Sequence, residues 1–304
     1  MADPQPQPNP DDKAPADSES TPSEQGTESE EQASPTRRAV MRLLRFAVLL
    51  WGGLFLFGWL GSESMIFLPH PPGYKDDPST IKLKTASGVT ITAHRYGPED
   101  AAWTILFSHG NAEDLGDLRR IFKRLGAAGF QVLAYDYPGY GTSEGTPTEQ
   151  GCYEAIDAAW THAVEVLKVA PEQLIIYGRS VGSGPSTYLA TRRPHAGLIL
   201  QAPFTSCFKV ALPITVLPFD RFPNAARIQH YEGPLLLLHG ERDRVVPVHH
   251  GREVFRLARG PKRSVFHEHA GHNNLIARLG RQWIAELQTF AKSLEGRGAV
   301  TPKG

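Results

Sequence analysis

The stretch Leu174-Ile175-Ile176-Tyr177-Gly178-Arg179-Ser180-Val181-Gly182 constrains this chain more than any other. A short apolar run containing β-branched residues reads as a buried strand. It passes directly into Gly-x-Ser-x-Gly, and Ser183-Gly184-Pro185-Ser186-Thr187-Tyr188-Leu189-Ala190 then reads as the start of a helix. Strand, sharp turn and helix form the setting in which this motif lifts a serine hydroxyl above a sheet. The glycines serve the turn, since a side chain two positions either side of the serine would strike neighbouring backbone. Gly-x-Ser-x-Gly alone occurs in many loops; the flanking pattern is what makes Ser180 a candidate nucleophile.

The rest of the chain repeats the same alternation. Residues 80–84 and 89–95 read as a hairpin around Ala86-Ser87-Gly88. Apolar runs at 103–107, 130–135, 198–200, 234–238 and 264–266 read as buried strands. Helical patterns cover 114–126, 148–168 and, as one closing amphipathic helix, 274–294. Strands apolar on both faces and alternating with helices imply an α/β fold with a mostly parallel sheet, helices on both sides. Such sheets carry their working loops at the carboxyl ends of the strands.

A serine hydroxyl needs a base, and the base needs an orienting acid. The acid is expected at Asp243, in the turn His239-Gly240-Glu241-Arg242-Asp243-Arg244-Val245-Val246-Pro247 after a buried run. Glu241 competes but lies too near the strand end to fold back; an ion pair of Asp243 with Arg242 or Arg244 is the structural alternative. Three histidines, His267, His269 and His272, are available as base. The first two belong to a strand end, whereas His272 follows Gly271 in a loop and is the expected base. Metal binding by the three finds no further ligand at suitable spacing, and no metal or cofactor is expected. The backbone N–H of Val181, next to the nucleophile, and that of Asn111, in His109-Gly110-Asn111, are the expected oxyanion donors. His109 and Asp136 read as loop braces.

The ends of the chain differ from this body. Residues 1–36 are acidic, polar and proline-rich, and are expected to be disordered. Arg37, Arg38, Arg42 and Arg45 then lead into an uncharged run, 46–60. The run is short for a span of about 17–25 residues; Leu43, Leu44 and a snorkelling Arg45 extend it. An uncleaved anchor over 37–62 is expected, its arginines placing the N-terminus in the cytoplasm and the body, 63–296, on the other side. A cleaved signal, a twin-arginine export signal, a buried core helix and a true start at Met41 are the alternatives. A flexible tail is expected over 297–304. Thirty-two basic residues balance 32 acidic ones, so nothing points to nucleic acid. Cys152 and Cys207 read as buried apolar residues and not as a disulfide.

His109-Gly110-Asn111-Ala112, Tyr137-Pro138-Gly139-Tyr140-Gly141, Gly178-Arg179-Ser180-Val181-Gly182, His239-Gly240-x-x-Asp243-x-x-Val246-Pro247 and Gly271-His272-Asn273 occur in that order. Together they resemble the α/β-hydrolase superfamily, over about residues 60–295. Within it the chain is similar to the membrane-anchored serine hydrolases of the Bem46 and alpha/beta hydrolase domain-containing 13 and 17 kind. Phe67-Leu68-Pro69 strengthens that likeness; Asn274, where the family often has Asp, departs from it. The resemblance implies a Ser180–Asp243–His272 triad and a lid at about 203–232, which here is short and apolar. The lid reads equally as an acyl-binding wall or as packing on the sheet edge. The resemblance includes esterases, lipid hydrolases and protein depalmitoylases. The expectation is hydrolysis of a small-molecule or lipid acyl ester or thioester. A peptidase or amidase, and a catalytically silent tethered binding domain, remain as alternatives.

Overall fold

The computed structural model describes Met1 and residues 34–211 and 217–302. The acidic segment expected to be disordered lies almost wholly outside the described residues, as does 212–216 of the expected lid. The chain divides into two units after Trp51. The first holds most of an apolar helix, α1 (Pro35–Leu60), on which Leu43, Phe46, Val48, Leu49 and Leu50 are each more than half exposed. At 26 residues α1 is long and apolar enough to cross a membrane.

In the second unit a short helix, α2 (Ser62–Ile66), precedes the hairpin β1 (Ile81–Lys84) and β2 (Thr90–Tyr96). There follow β3 (Trp103–Ser108), α3 (Leu115–Ala127), β4 (Phe130–Tyr135), α4 (Glu149–Thr161), β5 (Leu174–Arg179) and α5 (Ser183–Ala190). Then come β6 (Gly197–Gln201), α6 (Cys207–Ala211), α7 (Asn224–Ile228), β7 (Leu235–Gly240) and α8 (Val248–Leu257). The unit closes with β8 (Lys262–His267), α9 (Leu275–Leu279) and α10 (Arg281–Leu294).

The strands form one sheet in the order β1-β2-β4-β3-β5-β6-β7-β8. The pairs β1–β2 and β2–β4 are antiparallel, and from β4 to β8 every pairing is parallel. Side chains alternate across a strand, so β5 feeds both faces. Leu174 and Ile176 pack with Ile156 of α4 and Val254 of α8, while Ile175 and Tyr177 pack with Phe122 of α3 and Trp283 of α10. This double burial is why the strands read as unbroken apolar runs, and it leaves only the strand ends for chemistry.

Local signals mark the helix starts. Asp114 caps α3 in a capping box with Asp117, and the Thr148 hydroxyl takes the Gly151 N–H at the head of α4. Two helices depart from expectation. The helix expected over 148–168 widens after Thr161 into a single π turn, His162–Val166, and stops where Lys168 turns to φ +58°. The closing helix is two helices, because Gly280 adopts φ +55° and ψ −118° between them. Side-chain-bearing residues avoid that conformation, whereas apolar periodicity runs through it unchanged. Cys152 and Cys207 are free thiols, Cys152 buried and Cys207 partly so. The expected flexible tail is tied to the unit at Val300, which forms a backbone bridge with His195.

Candidate active site

β5 delivers Ser180 at the carboxyl end of the sheet with φ +51°, a left-handed conformation that a serine holds only when its surroundings enforce it. The glycines around it explain how. A Cβ on Gly182 would lie 2.3 Å from the Ser108 carbonyl oxygen and 2.6 Å from that of His109. One on Gly178 would lie 2.6 Å from the Gly182 carbonyl oxygen. The elbow therefore presses against the end of β3 as closely as backbone allows.

The loops after β7 and β8 bring the other two expected residues to Ser180. His272 Nε2 lies 2.9 Å from Ser180 Oγ, and His272 Nδ1 lies 2.7 Å from Asp243 Oδ2. Asp243 is buried and its Oδ1 accepts the N–H groups of Val245 (2.9 Å) and Val246 (2.8 Å). Burial pushes its carboxyl upward, but hydrogen bonds from His239, His272 and Val246 outweigh it and hold it well below the usual carboxylate range. The rival residues are engaged elsewhere: Glu241 pairs with Arg252, and His269 Nδ1 lies 3.0 Å from Arg242 Nη2. Asn274, at the family departure, accepts the Gly271 N–H (2.7 Å) and steadies the loop carrying His272.

The loop expected to receive an oxyanion runs from His109 to Asn111. A carbonyl only accepts, so His109 Nδ1 carries the hydrogen that it shares with the Gly110 oxygen at 2.7 Å. In a trans peptide this turns the Asn111 N–H to the opposite side. Among the described residues that N–H has no acceptor. The Val181 N–H lies in the first turn after Ser180, where a helix has no internal acceptor. Asp136 accepts from the Leu115 N–H (3.1 Å) and from Tyr74 Oη, and stands 3.3 Å from His109 Nε2. Burial opposes charge on His109, yet the Asp136 carboxylate raises its pKa above the ordinary value. Both residues brace the loop, as their turn context suggests.

Two braces have no counterpart in the sequence reading. Glu113 accepts the Gly110 N–H (2.6 Å) with one oxygen and Arg179 Nη1 (2.8 Å) with the other, so the residue before Ser180 is clamped to the 109–111 loop. The Asn111 side chain donates to the Ile66 carbonyl and accepts from Leu68 N–H (3.0 Å) and Tyr140 Oη (2.6 Å). Both span sequence separations that no local pattern reports. The expected lid packs on the elbow helix: the buried Asn224 donates to Ser183 Oγ (3.1 Å), and a Cβ on Gly184 would meet the Phe222 ring at 2.2 Å.

A mostly parallel sheet led by an antiparallel hairpin, with a serine on the sharp turn after a central strand, defines the α/β-hydrolase class. The family model described as "Serine aminopeptidase, S33" matches residues 99–219. Alpha/beta hydrolase domain-containing protein 17B of Homo sapiens is 40% identical over 221 residues, covering 71% of this chain and 76% of its own length. Protein 17C of Mus musculus is 38% identical over 191 residues, 62% of this chain and 59% of its own. The Pyrococcus furiosus esterase Pf2001 superposes with a TM-score of 0.62 at 16% identity, over 75% of this chain and 97% of that one. The chain belongs to the α/β-hydrolase superfamily, in the group of the alpha/beta hydrolase domain-containing 17 proteins.

Proposed function

We propose that the chain is a serine hydrolase that cleaves carboxylic esters or thioesters through an acyl-enzyme. The hydrogen-bonded line from Ser180 Oγ through His272 to Asp243 carries this reading. His272 Nε2 takes the Ser180 proton as Oγ attacks the acyl carbon, and returns it to the departing alcohol or thiol. Asp243 keeps Nδ1–H as the donor and balances the imidazolium that forms. The N–H groups of Asn111 and Val181 receive the negative oxygen, each contributing about 2.7–4 kcal/mol. Water then enters by the reverse path and frees Ser180.

The test is Ser180→Ala against a p-nitrophenyl ester and a fluorophosphonate probe. Loss of both turnover and labelling is expected; turnover that survives the substitution refutes the reading. A peptidase or amidase activity is the second reading, favoured by the description of the family model that matches 99–219. The two separate on matched ester and amide substrates.

We further propose that α1 anchors the protein in a membrane with Arg37, Arg38, Arg42 and Arg45 on the cytoplasmic side and residues 63–296 on the other. Protease added outside sealed vesicles or cells decides the side.

A further inference from the structure

The triad acid has a neighbour that the mechanism leaves unused. His239, next to last in β7, is a wholly buried side chain beside Asp243. Its Nε2 lies 2.9 Å from the Val246 carbonyl oxygen, so Nε2 carries a hydrogen. The same nitrogen stands 3.4 Å from Asp243 Oδ2, the oxygen that receives His272. Among the described residues Nδ1 has no hydrogen-bond partner, although it is buried. It faces the backbone of α8, where a Cβ on Gly251 would lie 2.2 Å away. A ring placed only to fill space would be apolar, since an orphaned buried nitrogen is a net cost. The ring's one engaged nitrogen points at both ends of the turn that carries the acid.

We infer that His239 is a positioning residue for the Asp243 carboxylate. Its Nε2–H fixes the Val246 end of the turn, whose own N–H holds Asp243 Oδ1. The same N–H also stands 3.4 Å from Oδ2, on the side away from His272, where its positive end favours the carboxylate. With the Val246 end fixed, the N–H groups of Val245 and Val246 hold Oδ1 and the carboxylate plane is set for His272 Nδ1 at Oδ2. The titratable groups around the ring are Asp243, His272 beyond it, and His250 on α8, which burial and its neighbours His249 and His239 push down to about 4. This role rests on the catalytic reading above.

The test compares His239→Gln, His239→Asn and His239→Leu in the full chain. A glutamine amide reaches the place of Nε2, whereas an asparagine amide reaches only that of Nδ1. His239→Gln should keep kcat within about threefold of wild type, while the other two lower it by about 10- to 100-fold with KM nearly unchanged. In His239→Asn the acid limb of kcat/KM should also move to higher pH, because the Asp243 charge then falls more fully on His272. A role in packing alone would change the folding midpoint and move neither the limb nor the Gln–Asn difference. The inference is overturned if folded His239→Asn or His239→Leu keeps wild-type kcat, or if His239→Gln falls as far as His239→Leu. Should a fluorophosphonate fail to label wild-type Ser180, the catalytic reading itself is overturned, and this role with it.

Discussion

Two histidine–aspartate pairs stand at carboxyl ends of this sheet, and their ring nitrogens are engaged in opposite ways. His272 and Asp243 come from the loops after β8 and β7; His109 and Asp136 come from those after β3 and β4. In the first pair Nδ1 faces the carboxylate and Nε2 faces a serine hydroxyl, with the imidazole side chain 11% exposed. In the second both side chains are wholly buried, and the nitrogen not facing Asp136 is committed to a backbone carbonyl. A histidine beside a carboxylate is thus a base only if its other nitrogen is left for a substrate-facing proton. Where that nitrogen is bonded to the backbone, the same pair becomes a rivet.

The difference can be broken from either side. His272→Ala should lower kcat by about 10⁴-fold or more, with the urea midpoint nearly unmoved, since the side chain ends a surface loop. A small kinetic loss accompanied by a large midpoint shift would make His272 structural. Asp136→Ala should do the reverse. It removes the acceptor of the buried Tyr74 hydroxyl and Leu115 N–H and the carboxylate beside His109, costing about 1–3 kcal/mol for each donor left unpaired, read in urea unfolding. Activity per folded molecule should change far less than in His272→Ala.

The smallest effect concerns acid. The folded carboxyl of Asp243 lies below its ordinary value, so its contribution to stability is complete above pH of about 4 and is lost as pH falls through the folded value. Asp243→Asn should lose that dependence, and its midpoint should fall less steeply than wild type between about pH 4 and 2. An identical acid slope in both proteins would show that the carboxyl is not held down.

Much of this site is readable in one sequence because each element announces itself locally. Ser180 sits between glycines that backbone crowding requires, and Thr148 and Asp114 stand where helix caps must. Asp243 and His272 follow buried runs at the one edge where an α/β sheet can do chemistry. Most of what escapes reading is held by long separations. Glu113 meets Arg179 only because β3 and β5 end side by side, and Asn111 meets Ile66 across 45 residues. His239 lies only four residues before Asp243, yet spacing alone does not say that its ring turns toward the acid. Gly280 was hidden for a different reason: apolar spacing continues through it, and only its backbone angles divide the helix.

The hold of Asn111 on the backbone at Ile66 and Leu68 also sets where the chain can be cut. A shortened protein that begins beyond Leu68 sheds α1 but also removes the Ile66 and Leu68 backbone groups that the Asn111 side chain holds. One that begins at Gly61 loses the apolar helix and keeps α2, with Glu63 still accepting the Glu149 N–H (3.0 Å) and Ser62 Oγ still within reach of Arg221. The apolar helix and the hold on Asn111 are therefore lost at two different cuts, fewer than ten residues apart.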